Sequence, residues 1–195
     1  MRTFEYLSKL FREFIRQYKK SKEADKIDRK ILQAIKNEQE KELEKLVEEF
    51  LEVHPTSPKN DNYPRKKWAG NVYYNVGTSC AREKKFHLAI NMFEKAAEYF
   101  PSPHVYNNLA VCMKHQEEHE KAHEYLKKAI KIDPKYPSSY ARMALFLKAY
   151  NPPVEDDPSY YLKKYLEKGG DKEKLKKLVN PNIPEEKKAL EKLQA

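Results

Sequence analysis

Between Tyr73 and Pro134 one pattern of residues occurs twice, offset by 33 positions. The first copy reads Tyr73-x2-Val76-Gly77-x2-Cys80, then Ala89-x3-Phe93-x2-Ala96, then Pro101. The second reads Tyr106-x2-Leu109-Ala110-x2-Met113, then Ala122-x3-Leu126-x2-Ala129, then Pro134. A third opens as Tyr140-x2-Met143-Ala144-x2-Leu147 and then diverges. A period of roughly 20–50 residues means that one small unit, unable to bury its apolar face alone, stacks on copies of itself.

The spacing within each copy specifies a pair of helices. The first block sets an aromatic, an aliphatic and a small residue at i, i+3, i+4 and i+7, which is one helix face. The small residue (Gly77, Ala110 or Ala144) lets a second helix approach closely. In that second helix two alanines flank a larger residue that plugs the seam. The closing prolines cannot donate to the helix ladder and push the preceding residue toward extended geometry, so they end it.

These blocks resemble the tetratricopeptide repeat family, whose unit is about 34 residues long. The resemblance covers residues 70–136, and 137–168 in part; tyrosine replaces the usual tryptophan and the inter-repeat loop is one residue short. It implies an all-α chain: a tetratricopeptide-type helical-hairpin solenoid with extra N- and C-terminal capping helices. Residues 1–55 hold N-terminal helices marked by Phe4, Leu7, Phe11, Phe14, Ile15 and Tyr18, by Ile27, Ile31, Leu32 and Ile35, and by Leu43, Leu46, Val47, Phe50 and Leu51. The last two helices could form a degenerate repeat. Residues 56–66, rich in Ser, Pro, Asn and Asp, read as a loop. Residues 67–168 hold two clear repeats and a degenerate third. There Asn151-Pro152-Pro153-Val154-Glu155-Asp156-Asp157-Pro158 replaces a tight turn, and Gly169-Gly170 stops the second helix. Residues 169–195 read as capping helices, at about 171–179 and 184–194, covering the last repeat's apolar face as a solenoid requires.

Charge and composition bound what such an array can bind. The net charge is +9, distributed as +5 over residues 1–22, −4 over 23–55, +3 over 56–68, +1 over 69–134 and +4 over 135–195. The repeats are nearly neutral and the basic surplus lies in the flanks. Cys80 and Cys112, far apart and outside any Cys-x-x-Cys, read as buried hydrophobes in a reducing compartment. No apolar run approaches the roughly 20 residues of a membrane span, and no signal-peptide core opens the chain. A cytoplasmic location is the expectation. Heavy Lys and Glu use with only five Gln points to a thermophilic source.

By the resemblance, the first helix of each repeat lines the concave face. That would place Asn71, Tyr74, Asn75, Thr78 and Arg82 on it from the first unit. Asn107, Asn108, Val111 and His115 would come from the second, and Arg142 and Leu145 from the third. Asparagine amides can pair with a peptide backbone, and Arg142 can fork onto a carboxylate. Some family members clamp chaperone C-termini with two lysines, two asparagines and an arginine. Here only Asn108 and Arg142 match, with Tyr74, Thr78 and Ser138 in the other places, so the clamp is incomplete. The implied function is a non-enzymatic scaffold or adaptor that binds a protein or peptide segment there.

Other chemistries find less support. Four scattered glycines cannot build a phosphate cradle, and neither His-Glu-x-x-His nor Gly-x-Ser-x-Gly occurs. No catalytic residue, cofactor or metal is therefore expected. His115, His119 and His123 recur every four residues, but the repeat register puts a turn between the first two, and His119 takes the packing place of Phe86. The alternative is RNA or ribosome binding by Arg12, Arg16, Lys19, Lys20, Lys22, Arg65, Lys66 and Lys67, with Tyr63 and Trp68 as stacking surfaces.

Overall fold

The structure, a computed structural model, describes residues 22–53, 64–152, 154–179 and 184–194. The aromatic N-terminal stretch from Phe4 to Tyr18 lies outside them. Among the described residues there are ten α-helices and no strand: α1 Lys22–Lys36, α2 Glu40–Val53, α3 Arg65–Arg82, α4 Phe86–Tyr99, α5 Pro103–His115, α6 His119–Ile132, α7 Pro137–Tyr150, α8 Pro158–Glu167, α9 Lys172–Lys176 and α10 Pro184–Gln194. They fall into two compact units divided between Pro101 and Ser102.

In the first unit α1 pairs with α2 and α3 with α4, while α2 leans on α3. The four-residue spacing of Ile27, Ile31 and Ile35, with Ala34, buries one side of α1. Leu43, Leu46, Val47 and Phe50 bury the matching side of α2. Phe50 continues that core into Trp68 of α3, their ring centres 6.5 Å apart. The loop expected to reach residue 66 stops sooner, because α3 begins at Arg65 directly after Pro64. Proline's fixed φ suits a helix start, and its carbonyl accepts the first helical bond, from Trp68 N at 3.0 Å.

One turn geometry recurs in both units. In the first, Gln39 N donates to Ala34 O at 3.0 Å and Lys85 N to Cys80 O at 2.9 Å; in the second, Glu118 N donates to Met113 O at 3.0 Å. Each bond spans five residues and encloses a residue of positive φ: Glu38 at 55°, Lys84 at 60° and Glu117 at 61°. Such closure satisfies carbonyls left over at the helix end. It also fixes the register of the following helix.

The second unit opens on Pro103, with the Ser102 hydroxyl accepting from Val105 N at 3.4 Å. Helix α5 pairs with α6, α6 with α7 and α7 with α8. Asn151, left-handed at φ 44°, ends α7. Asp157 caps α8 by accepting from Ser159 N at 2.9 Å. Gly169, at φ 81°, then turns the chain. Helix α9 spans only Lys172–Lys176, shorter than the expected 171–179, because the ladder degrades into three-residue bonds from Leu178 N and Val179 N.

Gly77 shows how closely α3 and α4 approach. A Cβ added there would lie 2.9 Å from two ring carbons of Phe93 and 3.2 Å from Met92 Cβ. The second repeat carries Ala110 opposite Leu126, one volume step moved from one helix to the other. Gly77→Ala should therefore cost about 1–2 kcal/mol, overpacking outweighing the helix-propensity gain of roughly 1 kcal/mol. Adding Phe93→Leu should remove most of the clash, so urea unfolding of the two singles and the double should show strong coupling. Purely additive losses would contradict this account of the seam.

Candidate functional site

In the second unit the first-helix face is formed by α5 and α7, and it is occupied. Helix α10 packs on α7. A helix continuing the array would lie along α8, as α7 lies along α6. Instead α10 turns Glu186 and Ala189 inward, with Leu190 half-buried beside them. The Glu186 carboxylate accepts a hydrogen bond from the Lys114 ammonium of α5, in an ion pair whose side chains are 3% and 10% exposed. Burial pushes the Lys114 ammonium below the usual lysine range, Glu186 holds it up, and the charge of Arg142 pushes it down again. Lys114 Nζ also stands 5.9 Å from the centre of the Tyr150 ring. Burial raises that phenol to about 12, with the negative charges of Glu186 and Glu185 adding to the shift.

Residues 68–135 match the family model described as tetratricopeptide repeat. Residues 68–135 carry tetratricopeptide repeats. A crystal structure of MamA is similar at a TM-score of 0.52 and 18% identity, over 85% of this chain and 88% of that one. A structure of Pseudomonas aeruginosa PilF is similar at a TM-score of 0.46 and 18% identity, over 88% of this chain and 90% of that one. The first supports the repeat fold. No curated protein matches in sequence.

The residues expected to line the tetratricopeptide face divide by environment. In the first unit Asn71, Tyr74, Asn75 and Thr78 are half-buried and Arg82 is exposed. Asn75 Nδ2 donates to Asn71 O at 2.7 Å and Thr78 Oγ1 to Tyr74 O at 2.9 Å, so both donors close on their own helix. Tyr74 leans on Phe93, with ring centres 5.7 Å apart. In the second unit Asn108, Val111, His115 and Arg142 are half-buried.

Two of the expected face residues are buried. Asn107 is 3% exposed and its Nδ2 donates to Ser139 Oγ at 3.0 Å, tying α5 to α7. Leu145 of α7 is 3% exposed. Periodicity places a residue on a sector of a helix, but α7 is covered on several sides and buries eight of its residues. Lys114, Glu186 and Tyr150 were missed. The available signal was a glutamate in register with Ala189, Leu190 and Leu193, the apolar stripe of a short helix.

The remaining candidates resolve into packing. His115 ends α5 and His119 begins α6, where His119 packs at a tilt against Tyr150 with ring centres 4.6 Å apart. His123 lies parallel to Phe146, at 6.2 Å and 17°. Its Nε2 is 2.7 Å from Asp156 Oδ2, at ion-pair distance but out of line for a hydrogen bond. Among the described residues no three His, Cys, Asp or Glu gather as metal ligands. Cys80 and Cys112 are free and buried, and burial raises the Cys112 thiol to about 12, far from thiolate chemistry. Trp68 is 1% exposed and offers no face for base stacking. Arg12, Arg16, Lys19, Lys20 and Tyr63 lie outside the described residues, as does the side chain of Lys22. Among the described residues no helix is long and apolar enough to cross a membrane.

Asp156 fastens the segment that replaced the third tight turn. It accepts from Tyr161 OH at 2.6 Å and pairs with Lys127 Nζ at 3.2 Å. Burial alone would raise its carboxyl, but these bonds and the charges of Lys127 and His123 leave it below the usual carboxylate range. A carboxyl depressed in the folded state adds stability above its unfolded value, near pH 4, that is lost as pH falls through the folded value. Asp156→Asn should lower the melting temperature at pH 7 and lower it less at pH 3. An equal drop at both values would show that the charge contributes nothing.

Proposed function

We propose that this chain is a non-enzymatic scaffold that binds a segment of another protein on the first-helix face of its repeats. The supporting observation is the seating of α10 on that face in the second unit, where α5 and α7 take up a helix and bury an ion pair beneath it. A surface that accepts eleven residues of its own chain this way has the shape and charge to accept a foreign segment. Asn108, Val111, His115 and Arg142, half-buried on α5 and α7, are the residues of this face that we assign to the contact. Asn71, Tyr74, Asn75, Thr78 and Arg82 form the corresponding face of α3.

The α1–α2 hairpin fits this reading as a degenerate repeat. Aligned on the shared turn, Ile27, Ile31 and Ala34 stand where Tyr73, Gly77 and Cys80 stand in α3. Leu43, Val47 and Phe50 likewise match Ala89, Phe93 and Ala96, and all twelve are buried.

Quantitative affinity capture from lysate of the source cells tests the face directly, comparing wild type with an Asn108→Ala/Arg142→Ala variant. At least one protein captured by wild type should fall severalfold with the variant, while a Lys128→Ala control on the second-helix side should leave the profile unchanged. Indistinguishable profiles for all three chains would overturn the assignment of the face.

A further inference from the structure

Helix α10 has the make-up of a ligand more than of a cap. A cap turns an apolar face to the array and leaves its charges in water. Helix α10 carries a carboxylate inside its contact face, buried against Lys114, ahead of Ala189 and Leu190. Leu193 continues the same register in the sequence. The other charged residues of the helix, Glu185, Lys187, Lys188, Glu191 and Lys192, are exposed. The contact is thus a single stripe along an eleven-residue helix, too short to be stable in isolation.

We propose that α10 is a built-in, displaceable occupant of the α5–α7 face, and that the partner segment is a helix of the same kind. Its defining chemistry is a glutamate or aspartate placed one turn ahead of a small residue and a leucine, directed at Lys114. This rests on the reading of the face as a protein-binding site. When α10 leaves, Lys114 loses its buried counter-charge and the flank of α7 loses its cover. A helix lacking the carboxylate would leave the ammonium buried and unpaired, which is the strongest reason for rejecting it. Because α10 is tethered, its effective concentration at the seat is on the order of millimolar. A foreign helix therefore competes with α10 and displaces it only if its intrinsic affinity is higher, as a natural partner's would be, or once α10 is released.

The probe is a fluorescent peptide with the sequence of residues 180–195, titrated by anisotropy into the full-length chain. Ala189→Arg places a bulky charge in the buried stripe of α10 and frees the seat with Lys114 intact. That variant should bind the peptide at least tenfold more tightly than wild type does. Lys114→Glu should bind the native peptide no better than wild type does. It should bind a Glu186→Lys version of the peptide at least tenfold more tightly than the native one. A cooperative thermal melt monitored by circular dichroism checks that each chain is folded; if Ala189→Arg has lost its melt, the charge swap decides alone. Equal peptide affinity of wild type and a folded Ala189→Arg chain would overturn the proposal. So would equal affinity of Lys114→Glu for the two peptides, or dimerisation of the released chain without peptide binding. None of those results touches the lysate comparison, which reads Asn108 and Arg142 in the presence of α10.

Discussion

The distance between the two helices of a repeat is set by an exchange of volume across their seam, and the exposed faces follow from it. At Gly77 the seam leaves no room for a side chain, since an added Cβ would meet the Phe93 ring at 2.9 Å. Where the first helix carries Ala110, the second carries the smaller Leu126. Close-packed interiors transmit a misfit of even one methylene, so the seam has little slack. The hairpin turn acts on the same distance from one end. Its five-residue bond and its left-handed residue fix where the second helix begins. That Glu38, Lys84 and Glu117 hold this conformation without being glycine, at a cost of roughly 1 kcal/mol each, shows how strongly the packing on both sides specifies it.

Once the helices are fixed, polar groups face a choice between self-satisfaction and recognition. Asn75 and Thr78 each direct a donor to a carbonyl of their own helix, one turn earlier. Asn107 is drawn inside to bridge α5 and α7 through Ser139. Lys114 is the opposite case. It sits at the end of α5, where a cation is favoured by the helix dipole, yet it is desolvated by α7 and α10. A buried pair of this kind adds little net stability, because desolvation consumes most of the attraction, but breaking it is costly. Its consequence is positional: the buried ammonium favours a helix with a carboxylate at the place of Glu186 over one without it.

The repeats were legible because their small residues are rare and regularly spaced. Gly77, Ala89, Ala96, Ala110, Ala122 and Ala129 leave a periodic trace, and the prolines mark its ends. The α1–α2 hairpin shares the turn and the buried register but fills the small positions with Ile31, Leu43 and Phe50. Its seam is closed by different volumes, so the motif disappears while the geometry persists. The site was less legible for a different reason. Periodicity assigned Asn107 and Leu145 to an exposed sector, whereas exposure depends on what covers that sector. The covering element for Lys114 lies 72 residues away in α10, beyond the reach of a pattern with a period of 33. The fasteners of the irregular turn, His123, Asp156 and Tyr161, are likewise non-local, and only their residue types hinted at a role.

Helix formation and occupancy of the face are one equilibrium for α10. Eleven residues alone cannot offset the cost of helix nucleation, so the segment is helical because α7 receives it and Lys114 neutralises its carboxylate. The reverse also holds. The seat is covered, and its lysine paired, only while that segment is helical. A change that weakens the helix therefore opens the face, even where it touches no residue of α5 or α7. Lys187, Lys188 and Lys192, all exposed, can consequently set how often the face is open through helix propensity and surface charge alone, without touching Lys114 or the surface around it.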